Sequence, residues 1–140
     1  MATYGPYTAT VASIHDGDTL DVDILLAKTG KLKTDLDLGF NVHRTTTGTR
    51  LERQSVRLLG CNAPELATVA GRAALAFIET LLKVGDTVTL VSHGWDKYGG
   101  RIDGQITLSD GRDLTSVMVA AGHAAVWDGV GVKPVPTAAP

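Results

Sequence analysis

The sequence is poor in cysteine, in aromatic residues and in excess charge of either sign. Cys61 is the one cysteine among 140 residues, which excludes an internal disulfide and a zinc site built mainly from cysteine. No apolar run approaches the roughly 18 residues that a membrane-spanning helix needs, so we expect no membrane partner. With 44% hydrophobic and 20% charged residues, the composition is typical of one folded domain and excludes a disordered chain.

The chain also lacks the basic excess of a protein that coats nucleic acid, because 13 Lys and Arg stand against 15 Asp and Glu. The formal charge of −2 hides an asymmetry. Residues 27–54 carry six basic and three acidic side chains, so the remainder carries −5. Four of the acidic residues fall within eight positions: Asp16, Asp18, Asp21 and Asp23. Such a chain can hold a basic arm and an acidic pocket, although charge alone favours a merely solvated loop.

The two ends of the chain carry different signals. The N-terminus has no basic start and no apolar run before a small-residue cleavage site, so we expect no secretory signal peptide. This predicts a cytoplasmic or phage-encoded protein, unless a leader was removed. Residues 132–140 are rich in Pro and Ala, which is typical of an extended tail. We therefore predict one domain over residues 1–131, followed by a tail over 132–140.

Apolar residues with a period of two predict several short strands. These segments are 7–14, 20–26, 36–42, 54–59, 87–92 and 102–108, with a polar turn over 43–49. A helical period appears at 71–82, where Gly85 is expected to stop the helix, and a second helix is expected after an N-cap at Asp113. Short strands with one inserted and one late helix predict a mainly β fold, a five-stranded OB-type Greek-key barrel with two or three short helices.

The first of three polar clusters is Asp16-Gly17-Asp18-Thr19. Two carboxylates on a tight turn can offer oxygen ligands to a hard cation such as calcium. A plain hairpin turn explains the isolated motif more simply. The third cluster, over residues 96–101, places Lys97, Tyr98 and Arg101 on a glycine-rich loop. These residues can hold a phosphate and stack on a sugar or base, but a polar turn explains them as well.

The second cluster runs over residues 56–65 and contains an arginine and a glutamate eight positions apart. Arg57 alternates with core residues, so we expect it to point away from the interior, where its planar fork suits a phosphate. Glu65 follows a turn fixed by Pro64 and can accept a proton from water or orient it. A surface ion pair is the plain alternative. Each cluster alone is weak, but their order and combined chemistry are less easily explained by chance.

Together these segments make the chain similar to the staphylococcal nuclease (thermonuclease) family. The matching segments span residues 11–126 in the family's order: DGDTLDV, VRLLGCNAPE, GRAALAFIETLL, DKYGGR and DGRDLTSVMVAAGHAAV. The resemblance implies an OB-type barrel. It also implies calcium-dependent hydrolysis of DNA and RNA phosphodiesters that leaves 3′-phosphates.

The resemblance also assigns roles to individual positions. The catalytic positions are Arg57, Glu65 and Arg101. The expected calcium ligands are Asp18, Asn62 and the backbone carbonyl of Ala63. Asp16 is expected to hold these ligands in place without binding calcium itself. The expected substrate contacts are Lys97 and Tyr98. Trp127 is a weaker candidate for stacking on a base, because a buried tryptophan that closes the barrel is at least as plausible.

Three departures from the family pattern bear on these roles. Asn62 stands where the family usually has Asp, which removes one negative charge and predicts weaker calcium binding. The motif DKYGGR has one extra glycine. This glycine either displaces Arg101 by one residue or forms a bulge that returns the Arg101 side chain to the direction it has in the family. The connection over residues 27–54 is longer than in the best-known members, and its basic excess would add a nucleic-acid contact.

Three functions are compatible with these residues. We favour a monomeric, metal-dependent nuclease that acts on DNA and RNA, because the candidate catalytic residues are all present. The alternative is a catalytically weak or inactive OB-fold module that binds nucleic acid or a protein partner, and the change at Asn62 is the best argument for it. A third reading is a structural or assembly domain of a phage or larger complex. Cys61 is expected to pack in the core.

Overall fold

A computed structural model of the chain describes residues 3–27, 42–44, 48–96, 100–134 and 136. Within these ranges the chain forms eight strands and two helices. In chain order they are β1 (Tyr4–Asp16), β2 (Thr19–Ala27), β3 (Val42–Arg44), β4 (Gly48–Leu58), β5 (Cys61–Asn62), α1 (Val69–Leu81), β6 (Thr87–Trp95), β7 (Ile102–Thr107), α2 (Leu114–Ala120) and β8 (Ala125–Val126).

Five of the strands close into a barrel. Hydrogen bonds join β1 to β2, β2 to β4, β4 to β7, β7 to β6 and β6 back to β1. All these pairs are antiparallel except β4 with β7, which is parallel. The ring confirms the predicted mainly β, five-stranded OB-type barrel with short helices. β3 extends the sheet along β4, and β5 pairs with β8 in a separate two-stranded sheet.

The core lies inside the barrel and under the helices. Alternate residues of each strand point inward, as the period of two requires. The fully buried strand residues include Leu20, Val22, Val56, Leu58, Leu90 and Ile106. Helix α1 packs against β1 and α2 packs against β7. The buried helix residues Ala74, Ile78, Leu114 and Met118 join the same core, so one hydrophobic cluster holds barrel and helices together.

Strand β4 differs from the prediction because it begins at Gly48, within the segment expected to be a turn. Residues 43 and 44 belong to β3, which pairs with residues 49 and 50 of β4. β2 pairs with β4 along its other edge, out to Ala27 opposite Gly48. Neighbours on both sides keep this polar stretch extended, whatever its local turn propensity. The strand expected over 36–42 lies outside the described residues except for position 42.

The helix ends follow from local capping. Helix α1 begins at Val69, two residues before the predicted start, because the Thr68 hydroxyl accepts the Gly71 N–H at 2.9 Å. It ends at Leu81, before the expected stop, since Leu82 is already extended and Gly85 (φ +94°) lies in the following turn. Neither of the two described helices is long and apolar enough to cross a membrane.

Helix α2 begins where the sequence predicts. The Asp113 carboxylate accepts the backbone N–H of Ser116 at 3.0 Å, so Asp113 is the N-cap. The predicted division between residues 1–131 and the tail over 132–140 stays a prediction.

The first turn of α1 packs tightly on the loop that carries Glu65. A Cβ at Gly71 would overlap the Glu65 carbonyl oxygen and crowd Leu66 Cα. We therefore expect Gly71→Ala to lower the free energy of unfolding by about 1–3 kcal/mol, the usual cost of overpacking, as measured by urea unfolding. Glu79→Ala on the exposed side of α1 is the control and should change it by less than about 0.5 kcal/mol. Equal stability of Gly71→Ala and the native chain would contradict this packing.

Candidate active site

Asp18 lies in the turn between β1 and β2 and is almost fully buried, with 6% of the residue exposed. Its Oδ2 accepts the Ala63 N–H at 2.8 Å and forms an ion pair with Arg57 Nη1 at 3.1 Å. Its Oδ1 accepts the Thr19 hydroxyl at 3.0 Å. The Asp18 N–H in turn donates to Asp16 Oδ1 at 3.0 Å, which fixes the turn. One carboxylate thus connects the hairpin, β4 and the loop after β5.

The environment of Asp18 opposes its negative charge and only partly compensates for it. Burial raises the pKa of Asp18 above its usual value, while the Arg57 guanidinium and the Ala63 N–H pull the pKa of that carboxyl down. Both stabilising groups are donors aimed at the ionised form. The charge of Asp18 therefore depends on Arg57 staying in place.

Arg57 lies near the end of β4 and is held on one edge by the protein. Its side chain is 13% exposed. Nη1 donates to the carbonyls of Leu58 (3.1 Å) and Cys61 (3.0 Å), and Nη2 donates to Asn62 Oδ1 (3.2 Å). A guanidinium has five N–H groups, so these three bonds leave the Nε–H and one Nη2–H. Donors at Nε and Nη2 can bind two oxygens of one phosphate.

Two of the three residues expected to bind calcium already have side-chain oxygens that accept hydrogen bonds from protein donors. Asp18 accepts from Thr19 and Ala63, and Asn62 Oδ1 accepts from Arg57. Calcium takes about six to eight oxygen ligands, whereas no three His, Cys, Asp or Glu side chains of the described residues are grouped to hold a metal. A guanidinium stands among the expected ligands. This donor set does not fit a preformed calcium cage, and the calcium site stays a prediction.

Asn62 contacts a distant part of the chain. Its Nδ2 donates to the carbonyl of Pro134 at 3.0 Å. Asn62 itself is buried and pairs with Ala125 of β8. The side-chain amide thus joins Arg57 to the segment after β8 through one acceptor and one donor. A carboxylate has no N–H and would make only the first of these contacts.

Arg101 stands at the start of β7 and is paired with an acid. Its Nε lies 2.9 Å from Asp96 Oδ2, and its side chain is 43% exposed against 9% for Asp96. The Asp96 N–H also donates to the Arg101 carbonyl at 2.8 Å, which ties the two ends of the loop together. Gly100 adopts φ +79°, a conformation that glycine tolerates. Lys97 and Tyr98, the expected phosphate contacts, lie outside the described residues.

Arg57 and Arg101 line the same pocket, which has a volume of about 360 Å³. Both tryptophans of the chain, Trp95 and Trp127, line it too. Two hydrogen bonds hold Trp127 in place. Its backbone N–H donates to the Gly60 carbonyl, and its indole Nε1–H donates to the Val130 carbonyl. Trp127 is therefore a wall of the pocket and does not close the barrel core. Lys133 lines the pocket as well, and three cationic side chains with two aromatic faces suit a phosphate with an attached base.

Glu65 lies apart from this pocket, on the loop after β5. The residue is exposed and is not among those that line the pocket. Its backbone is fixed, because the Glu65 carbonyl accepts from the Thr68 N–H at 3.0 Å and from the Thr68 hydroxyl at 2.6 Å. The structure thus brings the two expected arginines together and leaves the expected general base at the edge of the site.

Asp103 is a pocket residue that sequence reasoning missed. It lies directly opposite Arg57 in the parallel β4–β7 pair and lines the pocket. Burial and the nearby Asp96 carboxylate raise the pKa of Asp103, although Arg57, Arg101 and His93 lower it. Asp103 lies between the buried residues Ile102 and Gly104, so the period of two predicts only that its side chain points out of the barrel. Only closure of the barrel, which no local motif reveals, places it beside Arg57.

Cys61 does not contribute a reactive group to the site. It is buried, and burial together with the Asp18 charge raises the pKa of its thiol to about 11. The thiol is therefore neutral at physiological pH, whereas a cysteine nucleophile needs the thiolate. This agrees with the packing role that the sequence predicts.

Comparisons with known proteins give a partial match. No protein-family model matches the chain. It is 36% identical over 80 residues to an Escherichia coli protein named "Uncharacterized endonuclease", and 35% identical over 80 residues to one of the same name from Escherichia coli O157:H7. Each alignment covers 57% of this chain. The chain spans about half the length of these curated relatives, since 51% of each is covered.

The missing charge at Asn62 gives a test of the calcium prediction that does not need activity. Asn62→Asp adds a carboxylate beside Asp18, and calcium affinity rises with the number of charged ligands. A ligand that binds only the folded chain raises its melting temperature. We expect millimolar calcium to raise the Tm of Asn62→Asp by several degrees and that of the native chain by less, as measured by thermal unfolding.

Two controls belong to this measurement. Ala76→Asp adds the same charge on the exposed side of α1 and should respond to calcium as the native chain does. Magnesium should shift Asn62→Asp less than calcium, because it demands stricter octahedral geometry. An equal calcium shift in Asn62→Asp and the native chain would show that the charge at position 62 does not limit binding.

Proposed function

We propose that this chain is a nuclease that hydrolyses phosphodiester bonds of DNA and RNA and leaves 3′-phosphates. The observation that carries the proposal is the meeting of Arg57 from β4 and Arg101 from β7 on one pocket with both tryptophans. The endonuclease name of the two Escherichia coli relatives supports it. The predicted calcium requirement belongs to the same proposal but supplies none of the steps below.

The two arginines would bind and polarise the phosphate. The free edge of Arg57, made of its Nε–H and one Nη2–H, can donate to two phosphate oxygens. Arg101, less buried and held by one ion pair, can reach a third. Donors fixed before the reaction stabilise the negative charge that develops as water attacks phosphorus. The hydrogen bonds of Arg57 to Leu58 and Cys61 supply that preorganisation.

Glu65 is the proposed base. The attacking water would give its proton to the Glu65 carboxylate while its oxygen bonds to phosphorus. The bond from phosphorus to the 5′-oxygen breaks, and that oxygen takes a proton from solvent, which leaves the 3′-phosphate. The loop of Glu65 is fixed at both ends, by the Ala63 N–H on Asp18 and by Thr68 at the start of α1. Its exposed carboxylate is accessible to water and to a bound strand.

A module that binds nucleic acid without cutting it is the second candidate. The position of Glu65 outside the arginine pocket favours it, because binding needs only the arginines and the aromatic walls. Incubation of the purified chain with plasmid and with single-stranded DNA separates the two. Degradation supports the nuclease, whereas retarded but intact DNA supports the module.

Arg101 offers the sharper arginine test, since Arg57 also holds the fold together. We expect Arg101→Ala to reduce hydrolysis of a single-stranded oligonucleotide about a hundredfold or more, the usual effect of losing one donor to a developing oxyanion. Arg112→Ala is a matched control. Arg112 also pairs with an aspartate, Asp110, through Nε at 2.8 Å, but lies outside the pocket. Equal rates for both variants would remove Arg101 from the mechanism.

Glu65→Gln separates chemistry from binding. The amide keeps the size of the side chain but cannot accept the proton, so we expect hydrolysis to fall by at least about a hundredfold, the usual contribution of a general base. The Kd for the same oligonucleotide, from fluorescence anisotropy, should stay within about twofold, because losing a surface charge changes binding energy little. Glu79→Gln on the exposed side of α1 controls for the charge. Unchanged cleavage by Glu65→Gln would exclude Glu65 as the base.

A further inference from the structure

Three carboxylates line the pocket, and two of them already have partners. Asp96 pairs with Arg101 at 2.9 Å, and Asp128 Oδ1 accepts the Val130 N–H at 2.9 Å. No hydrogen bond or ion pair joins the Asp103 side chain to another of the described residues, although Asp103 lies opposite Arg57 in the register of β4 and β7. Its carboxylate is therefore the one that a ligand would meet.

The chemistry of an open carboxylate limits what it can contact. An ionised carboxylate only accepts hydrogen bonds, and it repels the phosphate that the two arginines attract. A ligand group beside Asp103 must therefore donate. In a nucleotide whose phosphate lies on Arg57 and Arg101, the donors are the sugar hydroxyls and the N–H groups of the base. Only the base N–H groups differ from one nucleotide to the next, so only they can give selection.

The aromatic walls give that base a place to stack. Trp95 and Trp127 line the same pocket as Asp103, and 43% of Trp95 is exposed. Stacking on an aromatic side chain is worth about 1–3 kcal/mol per base and tolerates any base. Selection must then come from a polar group at the base edge, and the Asp103 carboxylate offers an acceptor for that edge.

Among the common bases, guanine alone presents two adjacent N–H donors, at N1 and N2, on its Watson–Crick edge. A carboxylate can accept both at once, as it does from the fork of an arginine. Adenine and cytosine present a donor beside an acceptor, and uracil or thymine presents one donor between two acceptors. The edge is free only in an unpaired base.

We infer that Asp103 is a specificity-determining residue that selects an unpaired guanine next to the bound phosphate. The inference deepens the proposed function, since it concerns the same pocket and names the base that the pocket favours. It predicts that the chain prefers single-stranded substrates and cuts them beside guanine.

Binding can be measured without hydrolysis, because both tryptophans of the chain line the pocket. Their fluorescence should report the Kd of nucleoside 5′-monophosphates. We expect GMP to bind about tenfold more tightly than AMP, CMP or UMP, in line with the usual discrimination by a two-bond contact. Inosine monophosphate, which lacks only the N2 amine, should lose most of that advantage.

Asp103→Ala should remove the preference for GMP over inosine monophosphate while leaving AMP affinity within about twofold. Asp103→Asn is the second variant in case alanine weakens the barrel. It keeps the shape but has only one acceptor, so it should also lose the discrimination by the N2 amine. Asp128→Ala removes the same charge from the same pocket and should keep the preference for GMP. Thermal unfolding of all three variants verifies that they are folded.

The outcomes separate this inference from the proposed function. Preference for GMP that depends on Asp103, in a chain that cuts no DNA or RNA, would overturn the nuclease and support the role of Asp103. Cleavage without base preference, or an equal loss of affinity for all nucleotides in Asp103→Ala, would overturn the role of Asp103 alone. Cleavage of end-labelled single strands beside guanine, lost in Asp103→Ala, would support both.

Discussion

The rest of this site depends on one buried carboxylate. Asp18 accepts from Thr19 and Ala63 and pairs with Arg57, so a hairpin turn, a barrel strand and the loop after β5 share one negative charge. Removing one partner of a buried pair typically costs about 3–5 kcal/mol. The turn is as constrained sterically as electrostatically, because a Cβ at Gly17 would come within 2.9 Å of the Cβ atoms of both Ala63 and Ala74. The residue before Asp18 must therefore be glycine for the turn to pack as it does.

This constraint makes the two arginines unequal. Arg57 is held by three hydrogen bonds and a buried acid, whereas Arg101 is tied by one ion pair on a half-exposed side chain. The first is a fixed donor whose replacement also disturbs the fold, and the second is free to adjust to a ligand. The formal charge of −2 conceals this arrangement, since an acid accompanies each arginine. A near-neutral net charge is thus compatible with two arginines on one pocket.

Much of the fold could be predicted from local pattern, but the site could be predicted only in part. Alternation revealed the barrel strands, and Asp113 revealed the start of α2. The pattern failed at β4, where two neighbouring strands extend a polar segment, and at the end of α1, where the chain becomes extended before Gly85. Asp103 was missed because its place beside Arg57 is a register between strands 46 residues apart in sequence. Resemblance named Arg57 and Arg101, but not the pocket they share.

Asn62 shows how one side chain can exchange one kind of contact for another. In the family that the chain resembles, an acid at this position adds charge to a calcium site. Here the amide accepts from Arg57 and donates to the Pro134 carbonyl, whereas an ionised carboxylate could only accept. The segment after β8 is also tied to the site by Trp127, through Gly60. The residue that departs from the family pattern therefore joins Arg57, which lines the pocket, to the segment after β8.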